Sequence, residues 1–184
     1  MTDEILLGEL TTALSCQSGV KIHINYAEKI SGGDINETYK LSTNEGSLFL
    51  KMNDAHIYPD MFVRELNGLN ILRNTNAISV PRPLASGTVG DKGFLVTEFM
   101  EKGRVTPDFW ENFGASLSRI HRHTQTYYGF PETNYIGTLK QYNTPYSSWP
   151  VFYAFNRLQP LTRAAYDQQV VDRGMVVQME HLWK

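Results

Sequence analysis

Ser31-Gly32-Gly33-Asp34-Ile35-Asn36 is followed, fifteen residues after its last member, by Lys51 in the strand-like run Leu48-Phe49-Leu50-Lys51-Met52. Two adjacent glycines between alternating apolar segments predict a hairpin tip, because backbone without a Cβ can adopt positive φ and approach a ligand closely. Such a tip offers backbone N–H groups to an anion. A lysine on the next strand would place a positive charge beside the same anion. We therefore expect the tip and Lys51 to serve one anion site.

The spacing of apolar residues around this stretch predicts a small sheet with helices. We expect a first helix over residues 3–15, strands over 20–26, 35–41, 47–53, 84–89 and 94–100, and a second helix over 59–74 with proline in its first turn. This order is that of the N-terminal lobe of a protein-kinase-like fold. The predicted class is α+β, with a five-stranded antiparallel lobe over residues 1–100 and one flanking helix of regulatory type.

A carboxylate on an apolar helix face is the second feature that bears on function. Phe62, Glu65, Leu69 and Leu72 share one stripe of the predicted helix. A lone carboxylate there costs several kcal/mol unless a cation or hydrogen bonds compensate it, so we predict that Glu65 pairs with Lys51. In phosphoryl-transfer proteins such a pair holds the lysine against nucleotide phosphates.

The end of the last predicted strand, Glu98-Phe99-Met100, would offer backbone C=O and N–H groups to an adenine edge. Taken singly, these features have ordinary explanations: a Gly-Gly pair is often a tight turn, Lys51 a surface lysine and Glu98 a solvated strand end. Their joint occurrence with Glu65 favours a nucleotide site. The predicted ATP-binding residues are Gly32, Gly33, Asp34, Ile35, Asn36, Lys51, Glu65, Glu98, Phe99 and Met100.

Composition narrows the class of protein. The chain has 184 residues, of which 41% are hydrophobic and 20% charged, as in ordinary globular proteins. A net charge of −2 without a basic stripe argues against a nucleic-acid partner. An acidic N-terminus and short apolar runs predict no membrane partner and a cytoplasmic location. Cys16 is the single cysteine, so no internal disulfide can form, and we expect it to pack as a small apolar residue.

The composition changes after residue 100. We interpret residues 101–105 as a hinge and 106–184 as a partial helical C-terminal lobe, beginning with a helix that Thr106 caps. Phe109, Phe113, Leu117 and Ile120 line one face of that helix, and we expect His121 to be a packed core histidine. Residues 124–147 predict a long loop, and 149–166 and 168–183 two helices. We expect Arg157 to form a surface ion pair, and the aromatic residues near 152 to pack within the lobe rather than serve as a sugar platform.

Several motifs together resemble the fructosamine (ketosamine) kinases, a branch of the aminoglycoside-phosphotransferase-like small-molecule kinases. They appear in the order of that family over about residues 20–165: Ser31-Gly32-Gly33-Asp34-Ile35-Asn36, Phe49-Leu50-Lys51, Met61-Phe62 with Glu65, Val80-Pro81, Phe109-Trp110, Leu117 with His121, Asn134-Tyr135-Ile136-Gly137 and Arg157-Leu158-Gln159-Pro160. The resemblance implies a kinase that uses ATP and Mg²⁺ to phosphorylate a sugar hydroxyl of a fructosamine or other ketosamine, on a small molecule or a glycated protein. The resemblance also implies that this phosphorylation makes the glycated amine unstable, so that it sheds its sugar.

The chain also departs from that family. The resemblance implies a catalytic Asp in a later His-Gly-Asp loop and metal ligands beyond it, whereas His121-Arg122-His123 is followed by Thr124. The chain therefore looks truncated, and we predict no catalytic residue and no metal ligand within it. Two other functions stay open. One is an inactive nucleotide-binding or scaffold remnant that self-associates through its exposed partial lobe, and the other is a kinase of the aminoglycoside or choline type.

Overall fold

The structure, a computed structural model, describes residues 4–31 and 35–183. Three residues of the predicted glycine tip, Gly32, Gly33 and Asp34, lie outside the described residues. The chain divides into two compact units, Met1–His123 and Thr124–Lys184.

The first unit is built on a five-stranded antiparallel sheet, which confirms the predicted number and direction of the strands. The strands stand in the order β1-β2-β3-β5-β4 and are β1 (Ile24–Ile30), β2 (Glu37–Thr43), β3 (Gly46–Asp54), β4 (Pro83–Val89) and β5 (Lys92–Glu98). β3 is paired along its whole length, with β2 on one side and β5 on the other. The central strand is thus the one that carries Lys51.

One face of the sheet packs against α1 (Glu4–Ser18). Leu10 and Leu14 of this helix are fully buried in one core with Leu48, Leu50 and Met52 of β3. The alternation of β3 is as predicted, because these three residues share a face and leave Lys51 on the other. Cys16, by contrast, is exposed, so its predicted packing is wrong.

The helix that carries Glu65, α2 (Met61–Asn74), begins two residues later than predicted. Asp60 lies in the left-handed region with φ 59°, so the helix cannot extend back through it to Pro59. The apolar stripe is buried only at its start, where Phe62 is 2% exposed, whereas Leu72 is 40% exposed. Phe62 packs beside Gly93, where an added Cβ would lie 3.0 Å from Asn53 Oδ1 and 3.4 Å from the Phe62 ring.

The last helix of the first unit, α3 (Phe109–His121), begins after Asp108 rather than after Thr106. Phe109, Phe113 and Leu117 are 37–42% exposed, so the apolar face predicted from their spacing is open in the part of the chain that the structure describes. His121 is exposed as well, and its predicted core position is wrong.

The second unit contains a small hairpin and a broken helical run. Residues 124–147, predicted as a loop, include the hairpin, so that prediction is wrong in part. The elements are β6 (Asn134–Ile136), β7 (Leu139–Gln141), α4 (Trp149–Tyr153), a π-helical segment (Ala154–Leu158), α5 (Gln159–Asp167) and α6 (Arg173–Glu180). Across residues 4–31 and 35–183, no helix combines the length and the apolar character that a membrane crossing needs.

Candidate functional site

Lys51 and Glu65 form the ion pair that the sequence predicts. Lys51 Nζ donates to Glu65 Oε1 at 2.6 Å, and the two side chains are 28% and 32% exposed. Glu65 accepts from one of the three N–H groups of the ammonium, so the others can be directed to an anion. Because both groups keep contact with solvent, the pair avoids the full desolvation cost of a buried ion pair.

The sheet fixes the position of the lysine. Lys51 stands opposite Thr38 of β2 and Leu95 of β5, and both of these neighbours are buried. A residue held between two paired strands has a rigid backbone, so the ammonium is placed by the strand and by Glu65 rather than by a mobile loop.

Asn53 is a buried polar residue that the sequence reasoning missed. It lies two residues after Lys51 and is 4% exposed, and its Nδ2 donates to Asn36 Oδ1 at 3.2 Å. Asn36 is the last residue of the glycine stretch, so this bond ties the end of that stretch to β3. The signal available was an asparagine that follows the mostly apolar run of residues 48–52, on the same face as Lys51.

Of the predicted ATP-binding residues in the glycine stretch, Ile35 and Asn36 are the two that the structure describes. Ile35 is half-buried. The role of Gly32, Gly33 and Asp34 stays a prediction.

At the end of β5, the backbone groups of Glu98 already form hydrogen bonds within the protein. The N–H of Glu98 donates to the carbonyl of Arg82 at 2.9 Å, and the Glu98 carbonyl accepts from Thr97 Oγ1 at 3.0 Å. A carbonyl oxygen has two lone pairs, so that of Glu98 can accept a second bond. The predicted contact with an adenine edge would use this carbonyl and the backbone of Phe99 and Met100.

In the second unit, a polar cluster explains two of the sequence motifs. We call Asn134, Asn143 and Arg157 the Asn143 cluster. Arg157 Nη2 donates to Asn143 Oδ1 at 2.6 Å, and Asn143 Nδ2 donates to Asn134 Oδ1 at 3.0 Å. The guanidinium also lies 5.0 Å from the centre of the Phe152 ring, and burial lowers its pKa from the ordinary value. Arg157 therefore holds the hairpin on the helix instead of forming the predicted surface ion pair.

The aromatic residues around Phe152 are divided between core and surface. Phe152 is 4% exposed, whereas Trp149, Tyr153 and Phe155 are 43–51% exposed. Trp149 lies 5.7 Å from the Phe152 ring and 5.4 Å from the Tyr153 ring, centre to centre. The predicted lobe packing accounts for Phe152 and for one side of Trp149.

The three aspartates of the second half of the chain each have a local structural partner. Asp108 accepts from Asn112 at 2.8 Å, Asp167 from Arg163 at 3.1 Å, and Asp172 caps α6 by accepting from the N–H of Met175. Within the described ranges, no group of three or more His, Cys, Asp or Glu side chains could hold a metal ion.

Comparison with known sequences gives one consistent result. A family model described as fructosamine kinase matches residues 7–183. A probable ketoamine kinase of Synechocystis sp. is 34% identical over 79% of this chain and 49% of its own length. The chloroplastic protein-ribulosamine 3-kinase of Oryza sativa subsp. indica is 34% identical over 85% of this chain and 47% of its own. The chain spans about half the length of the curated relatives it matches.

Solved structures share the fold. A putative fructosamine-3-kinase from Haemophilus somnus superposes with a TM-score of 0.86 at 22% identity, covering 97% of this chain and 61% of its own. One from Thermobifida fusca gives 0.76 at 27% identity, covering 90% and 56%. A spectinomycin phosphotransferase gives 0.50 at 19% identity, covering 67% and 40%. The predicted protein-kinase-like α+β fold is confirmed.

Proposed function

The chain belongs to the fructosamine kinase family, and from this premise we propose that its first unit binds the ATP from which a ketosamine kinase transfers a phosphoryl group. The acceptor is a sugar hydroxyl of a fructosamine or another ketosamine, carried by a small molecule or a glycated protein. The family supplies the reaction and its substrate class. The residues of this chain supply the nucleotide contacts.

The observation that carries the proposal is the 2.6 Å ion pair between Lys51 and Glu65. A carboxylate from a helix that packs on the sheet holds the lysine ammonium above the central strand, where it can neutralise phosphate oxygens. Glu65 is a positioning residue in this scheme, since it acts through Lys51.

Two further elements complete the nucleotide site. The Glu98 carbonyl and the backbone of Phe99 and Met100 take the adenine edge, while the backbone of residues 32–36 covers the phosphates. The bond between Asn36 and Asn53 supports the second role, because it anchors the end of the covering stretch to the strand of Lys51.

Mg²⁺ supplies charge neutralisation to phosphoryl transfer when it is bound. The described residues contain no cluster of metal-ligating side chains, so we assign no ligand to it and no step to the metal. Asp108, Asp167 and Asp172 are engaged in local structure. These contacts favour a second candidate function for the chain by itself, in which it binds nucleotide without turnover. The cytoplasmic location and the self-association stay predictions.

The test is the ATP-dependent rise in melting temperature, measured with and without Mg²⁺. We expect Lys51→Ala to abolish the rise, and Lys51→Met, which keeps the length of the side chain, to do the same. Lys29→Ala is the matched control, because Lys29 also pairs with a glutamate on the same sheet, Glu37 at 3.4 Å, and is 66% exposed. An unchanged rise in both Lys51 variants would refute the assignment of that residue. ADP release in the same samples separates a kinase from a protein that only binds.

A further inference from the structure

A second lysine, Lys40 of β2, lies on the face of the sheet that carries Lys51. It stands opposite Phe49, just as Thr38 stands opposite Lys51, so the two positions share that face. Lys40 Nζ lies 4.3 Å from the centre of the Phe99 ring and 3.2 Å from Glu101 Oε1. Phe99 and Glu101 follow β5, which is separated from β2 by β3. The lysine therefore reaches across one strand to hold the segment that leaves the sheet.

The two contacts agree with one conformation of that segment. Residues i and i+2 of an extended segment point to the same side, and here Phe99 and Glu101 are held by the same ammonium. Met100 between them is 51% exposed. The Phe99 ring under the ammonium, with the Glu101 carboxylate, 75% exposed, on the same side, restricts how the segment rotates about its own axis. That rotation decides where its backbone N–H and C=O groups point.

We propose that Lys40 is a positioning residue for the purine base, which orders the Glu98–Met100 backbone before nucleotide arrives. This inference rests on the proposed function, because it assigns adenine to that backbone. Its physical basis is preorganisation: a segment that is already ordered loses less conformational freedom when the ligand binds. The Lys40 side chain is 29% exposed, against 66% for Lys29, so its ammonium is partly shielded by what it contacts.

The test separates the base from the phosphates by comparing three ligands. Binding of ATP, adenosine and inorganic triphosphate is measured by calorimetry for the wild type, Lys40→Ala and Lys29→Ala. We expect Lys40→Ala to weaken ATP and adenosine by about three- to tenfold, as loss of one cation–π contact and one ion pair implies. Inorganic triphosphate should change by less than about twofold, since it uses only the Lys51 side of the site.

Rescue distinguishes positioning from general loss of structure. Lys40→Arg keeps the charge and can stack on Phe99, so we expect ATP affinity within about twofold of the wild type. Equal weakening of all three ligands by Lys40→Ala, or none, would overturn the inference while leaving the proposed function intact. If Lys51→Ala binds ATP with the same affinity as the wild type, the proposed function fails, and the inference fails with it.

Discussion

Removal of the Arg157 guanidinium should release the hairpin of the second unit. Arg157 donates to the side chain of Asn143 and to the carbonyl of Tyr142, and its charge lies over the Phe152 ring. Asn143 is 6% exposed, so Arg157→Ala leaves a buried oxygen without its donor. An unsatisfied buried acceptor costs about 1–3 kcal/mol, and hydrogen bonds to charged groups contribute about 1.5–3 kcal/mol each. We expect the free energy of unfolding of this unit to fall by about 3 kcal/mol.

Two variants calibrate that value. Arg157→Lys keeps the charge but lacks the planar fork that serves two acceptors at once, so it should lose about half as much, roughly 1–2 kcal/mol. Arg163→Ala removes an arginine of the same helical run that pairs with Asp167 four residues on and is 78% exposed. Exposed pairs of this spacing contribute about 0.3–0.5 kcal/mol, so this variant is the control.

Native-state hydrogen exchange over residues 134–158 is the appropriate assay, because it reports the opening free energy of the hairpin and the adjoining helix separately from the first unit. A loss below about 1 kcal/mol in Arg157→Ala, or one equal to that of Arg163→Ala, would refute the structural role. The guanidinium would then be available for a ligand.

Two further predictions concern charge and backbone. The hydrogen bond and the charge of Asp91 raise the pKa of His56, so the stability that this pair adds is present below the unfolded pKa of about 6.5 and is lost as pH rises through the higher folded pKa. The difference in stability between the wild type and Asp91→Asn should therefore shrink as pH rises over that interval. A difference that stays constant with pH in urea titrations would contradict this prediction. Gly129→Ala should lower the free energy of unfolding of the second unit by more than about 1 kcal/mol, because φ is 131° and the new Cβ would lie 3.0 Å from the carbonyl oxygen of Asn143. Gly114→Ala is the control, because its new Cβ on α3 would meet nothing within 4 Å; in urea titrations it should be neutral or stabilising by up to about 1 kcal/mol.

Short-range patterns were sufficient to predict the sheet and the ion pair. The alternation around Lys51 assigns its face, and Glu65 stands out because a carboxylate in an apolar stripe needs a partner. Both inferences use residues whose environment is set by their own strand or helix. The nucleotide role of the pair stays a prediction.

Features that depend on distant partners were missed. Arg157 finds its acceptor Asn143 fourteen residues away, across a loop whose path no local pattern encodes. β6 and β7 have three residues each, too few to show alternation. α2 begins after Asp60 because that residue has a left-handed φ, although proline, present here as Pro59, is common in the first turn of helices. Spacing predicted the apolar face of α3 but carried no information on what covers it.

The order of strands in the sheet also has a consequence for how the first unit folds. β1, β2 and β3 are joined by short connections, as are β4 and β5, so each group can form from local contacts. Among the strand pairings of the described residues, only that of β3 with β5 closes the long stretch of chain that contains α2, and closure over a longer loop costs more entropy. Non-local pairings of this kind slow folding, so we expect this one to form last. Lys51 and Leu95 are direct partners in the pairing of β3 with β5. The surface of the sheet that carries the ion pair is therefore complete only after these two strands have paired.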